Sequence, residues 1–191
     1  MIVTGSSEPA APAAVIEELI GLAHRFGADP RFSRGGGGNA SVKHDGVLYI
    51  KPSGVRLATL AADDLVPLAI APLLRLLDGD AAPGAPGDDP VMRAAAEARL
   101  GHARGRRPSV ELLFHALLPE RYVVHTHPII VNAVTCNRDG ASLAARLFGD
   151  DALWVPYTDP GLPLAAAIAD GRRAHRERTG MPAPPIILMQ N

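Results

Sequence analysis

The sequence predicts a covered sheet of the α/β or α+β class, on three observations. Strand-like and helix-like segments alternate along the chain. An Asp45-Gly46 pair separates two strand-like runs, residues 40–44 and 47–51, which is a strong hairpin signal. Tyr122-Val-Val-His-Thr-His127 reads as a further strand that carries two histidines. With 191 residues, 47% hydrophobic and 20% charged, the chain suits one domain with a sizeable core.

The elements follow in order. Residues 1–12 are small and polar and read as a flexible N-terminus, so the domain proper spans 13–191. Val15, Ile16, Leu19, Ile20, Ala23 and Phe26 recur at helical spacing and predict a helix over 13–26, on which His24 is a surface or boundary histidine. The glycine-rich run Ser33-Arg-Gly-Gly-Gly-Gly-Asn-Ala-Ser41 leads straight into the hairpin. A helical turn near 61–64, a strand at 65–68 and a short helix at 72–77 come next. Residues 78–90, rich in Gly, Pro and Asp, form a loop, and 91–100 a helix. After a basic loop at 101–107, Ser109 can cap a helix that carries Glu111 and turns Leu112, Leu113, Ala116 and Leu117 to the core. Beyond the two-histidine strand, Pro128 opens a helix to about Cys136. Helices at 142–148 and 162–178 and strands at 153–157 and 185–190 complete the chain.

Composition excludes several function classes. A net charge of −1 offers no basic surface for nucleic acid or anionic lipid. No apolar run reaches the length of a membrane span, and no signal-peptide pattern opens the sequence. The single cysteine, Cys136, cannot form an internal disulfide. Together these point to a cytoplasmic protein.

The chemistry centres on residues 108–127. Side chains alternate along a strand, so His125 and His127 face the same way and can converge on one divalent metal, for which histidine is a common ligand. The alternative is two polar residues on a solvated strand face. Glu111 is either an acid beside that metal or a carboxylate complementing its helix dipole. His115, one turn further on, either helps orient Glu111 or is a satisfied core histidine. The glycine run is either a linker or a nest of amides for an anion. Lys51-Pro-Ser-Gly54 supplies a second turn with a hydroxyl and a glycine amide, so both turns could face one phosphate. Lys51 could instead be a Schiff-base nucleophile, which leaves the two histidines unexplained.

Four blocks, Gly36-Gly-Gly-Asn-Ala-Ser41, Lys51-Pro-Ser-Gly54, Pro108-Ser-Val-Glu111 and His125-Thr-His127, stand in an order and spacing that resemble the class II aldolase/adducin family. The likeness is to its zinc-dependent sugar-phosphate aldolases of the rhamnulose- and fuculose-phosphate type. The resemblance implies a three-layer α/β/α fold with a central, mostly antiparallel sheet, and a homotetramer with active sites between subunits. It implies cleavage of a ketose 1-phosphate to dihydroxyacetone phosphate and an aldehyde. Gly38, Asn39, Ser53, Gly54 and Ser109 would line the phosphate site, Glu111 would be the acid/base, and His125, His127 and Glu111 would hold Zn2+. Other members are pentulose-phosphate 4-epimerases, decarboxylases, dehydratases or non-catalytic adducin-like modules. Two departures stand out. Val110 occupies a position where many relatives have a second serine. The family's third zinc histidine is expected at the position after Asn191, with further strands beyond it. The resemblance therefore implies a form truncated at its C-terminus that binds zinc weakly and leaves the strand at 185–190 as an open edge.

Overall fold

The computed structural model describes residues 12–79, 89–101 and 106–190. The expected flexible N-terminus and most of the loops expected at 78–90 and 101–107 lie outside the described residues. Helix α1, Ala13–Gly27, buries Leu19 and Ala23. Strands β1, Asn39–His44, and β2, Val47–Ile50, form the expected hairpin. Its turn has positive φ at both Asp45 (46°) and Gly46 (76°), the backbone twist that suits a two-residue hairpin loop. Two three-residue helical turns, Leu57–Thr59 and Ala62–Asp64, precede β3, Val66–Ala69, and α2, Ile70–Arg75. Helix α3, Pro90–Ala98, starts with proline in its first turn and is capped by the Asp89 carboxylate, which accepts from the amides of Val91 (2.9 Å) and Met92 (3.4 Å).

The order β3-β2-β1-β4 makes a four-stranded antiparallel sheet, with β4 spanning Tyr122–His125. Registers Ser41↔Ile50 and Asn39↔His125 fix the two partners of β1. Alternation then sends side chains to opposite layers. Ala40, Val42, Val47 and Tyr49 pack with α1 and with Leu57 and Leu60. Leu48, Ile50, Val66 and Leu68 meet Leu73 of α2, Ala94 of α3, Leu112 of α4 (Leu112–Leu117) and Ile168 of α7 (Leu162–Thr179). The sheet is therefore covered by helices on both faces, as expected.

The C-terminal third differs in detail. Helices α5, Ile129–Thr135, and α6, Gly140–Phe148, lead to β5, Ala152–Val155, which pairs in parallel with β6, Ile186–Met189, as a separate two-stranded sheet. The long crossover helix α7 between them makes parallel pairing the natural outcome. Helix α6 opens at Gly140, two residues earlier than the spacing suggests, and a Cβ there would lie 2.6 Å from the Val134 carbonyl oxygen and 2.7 Å from the Trp154 ring. No described helix is long and apolar enough to cross a membrane.

Lys43 on β1 is half-buried and donates to the Glu120 carbonyl at 2.7 Å. Burial pulls its ammonium down to about 8, against a smaller opposing pull from the Glu120 carboxylate. A lysine depressed in the fold binds its proton less tightly there than in the unfolded chain, where it titrates near about 10.4. Stability therefore rises as pH climbs through about 8 towards about 10.4. Lys43→Met is expected to remove that rise, read as urea midpoints at about pH 7 and about pH 9.5.

Candidate active site

Three segments meet at one end of the sheet. The turn before α4 supplies Ser109 and Glu111, the start of β1 supplies Asn39, and the end of β4 supplies His125 and His127. Helix α4 begins at Leu112, with Glu111 at its N-cap. The Ser109 hydroxyl accepts from the Glu111 amide at 3.3 Å, so it shapes the entry to the helix as expected of a cap. Strand pairing of β4 ends at His125, yet the two imidazoles still converge, their ring centres 4.6 Å apart. His127 is held instead by its amide, which donates to the Phe32 carbonyl at 3.0 Å.

Glu111 is the hub. Its Oε2 accepts from the Asn39 amide at 3.1 Å and from the Ser109 hydroxyl at 3.4 Å. Its Oε1 lies 2.8 Å from His125 Nδ1. That contact has ion-pair distance without hydrogen-bond alignment, which leaves the buried Nδ1 with no aligned partner. Burial would raise the Glu111 carboxyl, but the His125 contact and the Asn39 amide outweigh it and bring it down to about 2. The group is thus ionised at neutral pH. Burial lowers the His127 imidazole, helped by His125, so it favours the neutral form that ligates metals.

The chemistry of the donor set, two imidazoles converging beside a carboxylate, fits a divalent cation. Among the described residues no three His, Cys, Asp or Glu side chains are placed to hold a metal ion together, so the expected set of His125, His127 and Glu111 does not form a three-ligand group here. His125 and His127 are the residues that would hold it, with Glu111 adjacent.

The remaining expected residues surround this hub. Gly38 has φ of 80°, and a Cβ there would lie 2.6 Å from the His125 carbonyl oxygen and 2.8 Å from Leu57. Gly38→Ala is expected to cost more than about 1 kcal/mol and to displace the His125 backbone, measurable as a lower urea midpoint. Asn39, 1% exposed, is committed to Glu111 and, through Oδ1, to the Ala40 amide at 2.8 Å. The Ser53-Gly54 turn is exposed, with Gly54 at φ 82° facing open space. An isolated bridge between Pro52 and Pro108 brings that turn beside Ser109. The Ser53 amide is already used, donating to the Arg107 carbonyl at 3.1 Å. Lys51, 3% exposed, donates to the Val55 carbonyl at 2.7 Å beneath the turn, a placement that suits support of the turn rather than attack on a carbonyl.

The sequence reading did not assign Ser41, and left His115 between two roles. Ser41 Oγ and His115 Nδ1 are 2.7 Å apart, both fully buried. The signal was present as Asn39, Ser41 and Lys43, polar residues at every second place of an otherwise apolar strand. A cleft of about 370 Å³ runs beside the site, between the free edges of β4 and β6, and is lined by His125, His127, Phe114 and Ile187 among others.

The chain belongs to the class II aldolase and adducin N-terminal domain family, whose model matches residues 17–191. It is 32% identical over 165 residues to the uncharacterized oxidoreductase YuxG of Bacillus subtilis, covering 82% of this chain and 23% of that one. The chain thus spans under a quarter of that curated relative's length. Among solved structures it is similar to the N-terminal class II aldolase domain of a conserved Thermoplasma acidophilum protein (TM-score 0.71, 24% identity, 89% of this chain and 80% of that one). It is also similar to L-fuculose-1-phosphate aldolase of Thermus thermophilus (TM-score 0.51, 18% identity, 86% and 72%). These two likenesses establish the fold.

Proposed function

We propose that this domain is a metal-dependent carbon–carbon lyase that cleaves a ketose 1-phosphate reversibly to dihydroxyacetone phosphate and an aldehyde. The observation that carries the reading is the contact of the ionised Glu111 with His125, unaligned for a hydrogen bond and adjoining His127. A divalent metal bound there, Zn2+ in our reading, would supply Lewis acidity towards the substrate carbonyl and its neighbouring hydroxyl oxygen. Glu111 takes and returns the proton at the carbon that becomes nucleophilic. Asn39 and Ser109 hold its Oε2, which leaves Oε1, 2.8 Å from His125 Nδ1, as the oxygen for that transfer. Ser53 and Gly54, with Gly38, take the phosphate and fix the substrate's orientation, while the Ser109 hydroxyl is spent on Glu111.

The oxidoreductase name of the Bacillus relative favours no second reading here. The glycine run in this chain opens into strand β1, whereas a dinucleotide-binding glycine loop opens into a helix. Exposed Val110, Ile129 and Ile130 put apolar surface beside Glu111 and His127, which suits a homotetramer with sites between cytoplasmic subunits.

The test is release of dihydroxyacetone phosphate from a panel of ketose 1-phosphates, with metal and with chelator. A metal-loaded protein that yields an isomeric pentulose phosphate, carbon dioxide or a dehydrated product instead would overturn the aldol-cleavage reading. Ser53→Ala is expected to raise KM about 10-fold for the phosphorylated substrate and to leave an unphosphorylated analogue unchanged. Equal effects on both would make the turn purely structural.

A further inference from the structure

Strand β1 presents one apolar and one polar face. Ala40 and Val42 pack into the α1 layer. Asn39, Ser41 and Lys43 alternate to the other face, and each meets the segment that carries α4. Asn39 bonds the Glu111 carboxylate at 3.1 Å, Ser41 pairs with His115 at 2.7 Å, and Lys43 bonds the Glu120 carbonyl at 2.7 Å. Three polar rungs therefore fix this segment against β1, with the proposed acid/base on the first and His115 on the second.

We infer that His115 is a positioning residue that acts through Glu111. Glu111 and His115 are one helical turn apart and on the same face, and the His115 amide reaches the Glu111 carbonyl at 3.4 Å. The Ser41–His115 rung sets the rotation and height of the first turn of α4 over β1. Without it, the Asn39 amide is the one remaining bond from β1 to the carboxylate, since Ser109 belongs to the same turn as Glu111 and moves with it. The His115 ring also stacks on Phe114, with ring centres 4.7 Å apart, and Phe114 meets the His125 ring edge-on at 5.8 Å. One side chain thus braces both the carboxylate and an imidazole of the site.

A histidine that merely fills the core would not take this form. His115 is 0% exposed and its Nε2 has no partner among the described residues. An unsatisfied buried nitrogen is costly, and leucine or phenylalanine would fill the space without it. Burial pushes the imidazole far below its usual range, so the rung is a hydrogen bond between neutral groups that persists across the working pH.

The inference rests on the lyase reading for its kinetic test, so a second readout is independent of substrate. Ser41→Ala, His115→Phe and His115→Asn are compared in wild-type and Glu111→Gln backgrounds. In the wild-type background, Ser41→Ala and His115→Phe are expected to lower kcat about 10- to 100-fold, with KM within about 3-fold, as for a misplaced reacting group. His115→Asn, which keeps a hydrogen-bonding atom near the place of Nδ1, restores most of kcat. In the Glu111→Gln background neither loss recurs, because residues that act as a unit are not additive. Equal losses in both backgrounds, or a Ser41→Ala enzyme within about 2-fold of wild type, overturn the inference. Ser41→Ala removes the same bond with little change of volume, so it serves if His115→Phe does not fold. The 13C carboxyl resonance of Glu111, identified by its loss in Glu111→Gln, is expected to move in Ser41→Ala. An unmoved resonance overturns the inference whatever the substrate. Absence of dihydroxyacetone phosphate from wild type, with that resonance moving, overturns the lyase reading alone.

Discussion

Glu111→Gln is expected to lower turnover by at least about 10²-fold while the protein stays folded, the scale of a lost general base. Glutamine matches the size of glutamate and keeps an acceptor oxygen for Asn39 and Ser109. It cannot take up a proton at that position, and it brings an amide where an ionised oxygen lay 2.8 Å from His125. The loss should therefore appear in kcat rather than in KM, because a proton-transfer group acts mainly in the transition state. Thermal unfolding beside steady-state kinetics makes the separation. Near-wild-type turnover in a folded variant would remove Glu111 from the chemistry.

His125→Ala and His127→Ala are each expected to weaken Zn2+ binding at least about 10²-fold by calorimetry, since even an outer partner of a metal ligand is worth about 10- to 100-fold. The two variants should differ in stability. His125 is packed against the Phe114 ring and lies beside a half-buried carboxylate, so its removal leaves a cavity and takes one partner from that charge. His127 lies past the end of β4, anchored through its amide, and its truncation should cost less. Unchanged zinc affinity in both variants would mean that the two rings do not hold the metal, and Glu111 would then be a carboxylate without one.

Much of this site could be read from the chain because its chemistry is written in short runs. The Asp45-Gly46 turn encodes its own geometry, and the two histidines are close in sequence as well as in space. Glu111 and Ser109 are likewise local to one turn. What the sequence withheld is pairing across long separations. Nothing within the 112–117 region says that His115 points at Ser41, because a helix pattern marks a face and not its neighbour. The same holds for β5 and β6, whose parallel pairing depends on where α7 crosses. Small shifts of element ends, such as Leu112 for the start of α4, follow the turn in which the Glu111 amide donates to the Ser109 hydroxyl, which hydrophobic spacing does not register. Leu117, expected in the core, is only partly buried, while Phe114 and His115 take its place inside.

The rungs that join β1 to the α4 segment also bear on how the molecule folds. Asn39 and Glu111 are 72 residues apart and Ser41 and His115 are 74 apart, so these bonds close long loops. Contacts of that kind reward the chain only after most of the loop entropy has been lost, and they form late. The donor set for a metal is then a property of the finished fold, absent from any intermediate that has only the 39–50 hairpin. A cation that binds the native state alone raises global stability by mass action, about 2.7 kcal/mol at a hundredfold excess over Kd. Amide exchange in β1 and β4 should slow together when metal is added, because both strands contribute to a site that exists only in the finished fold.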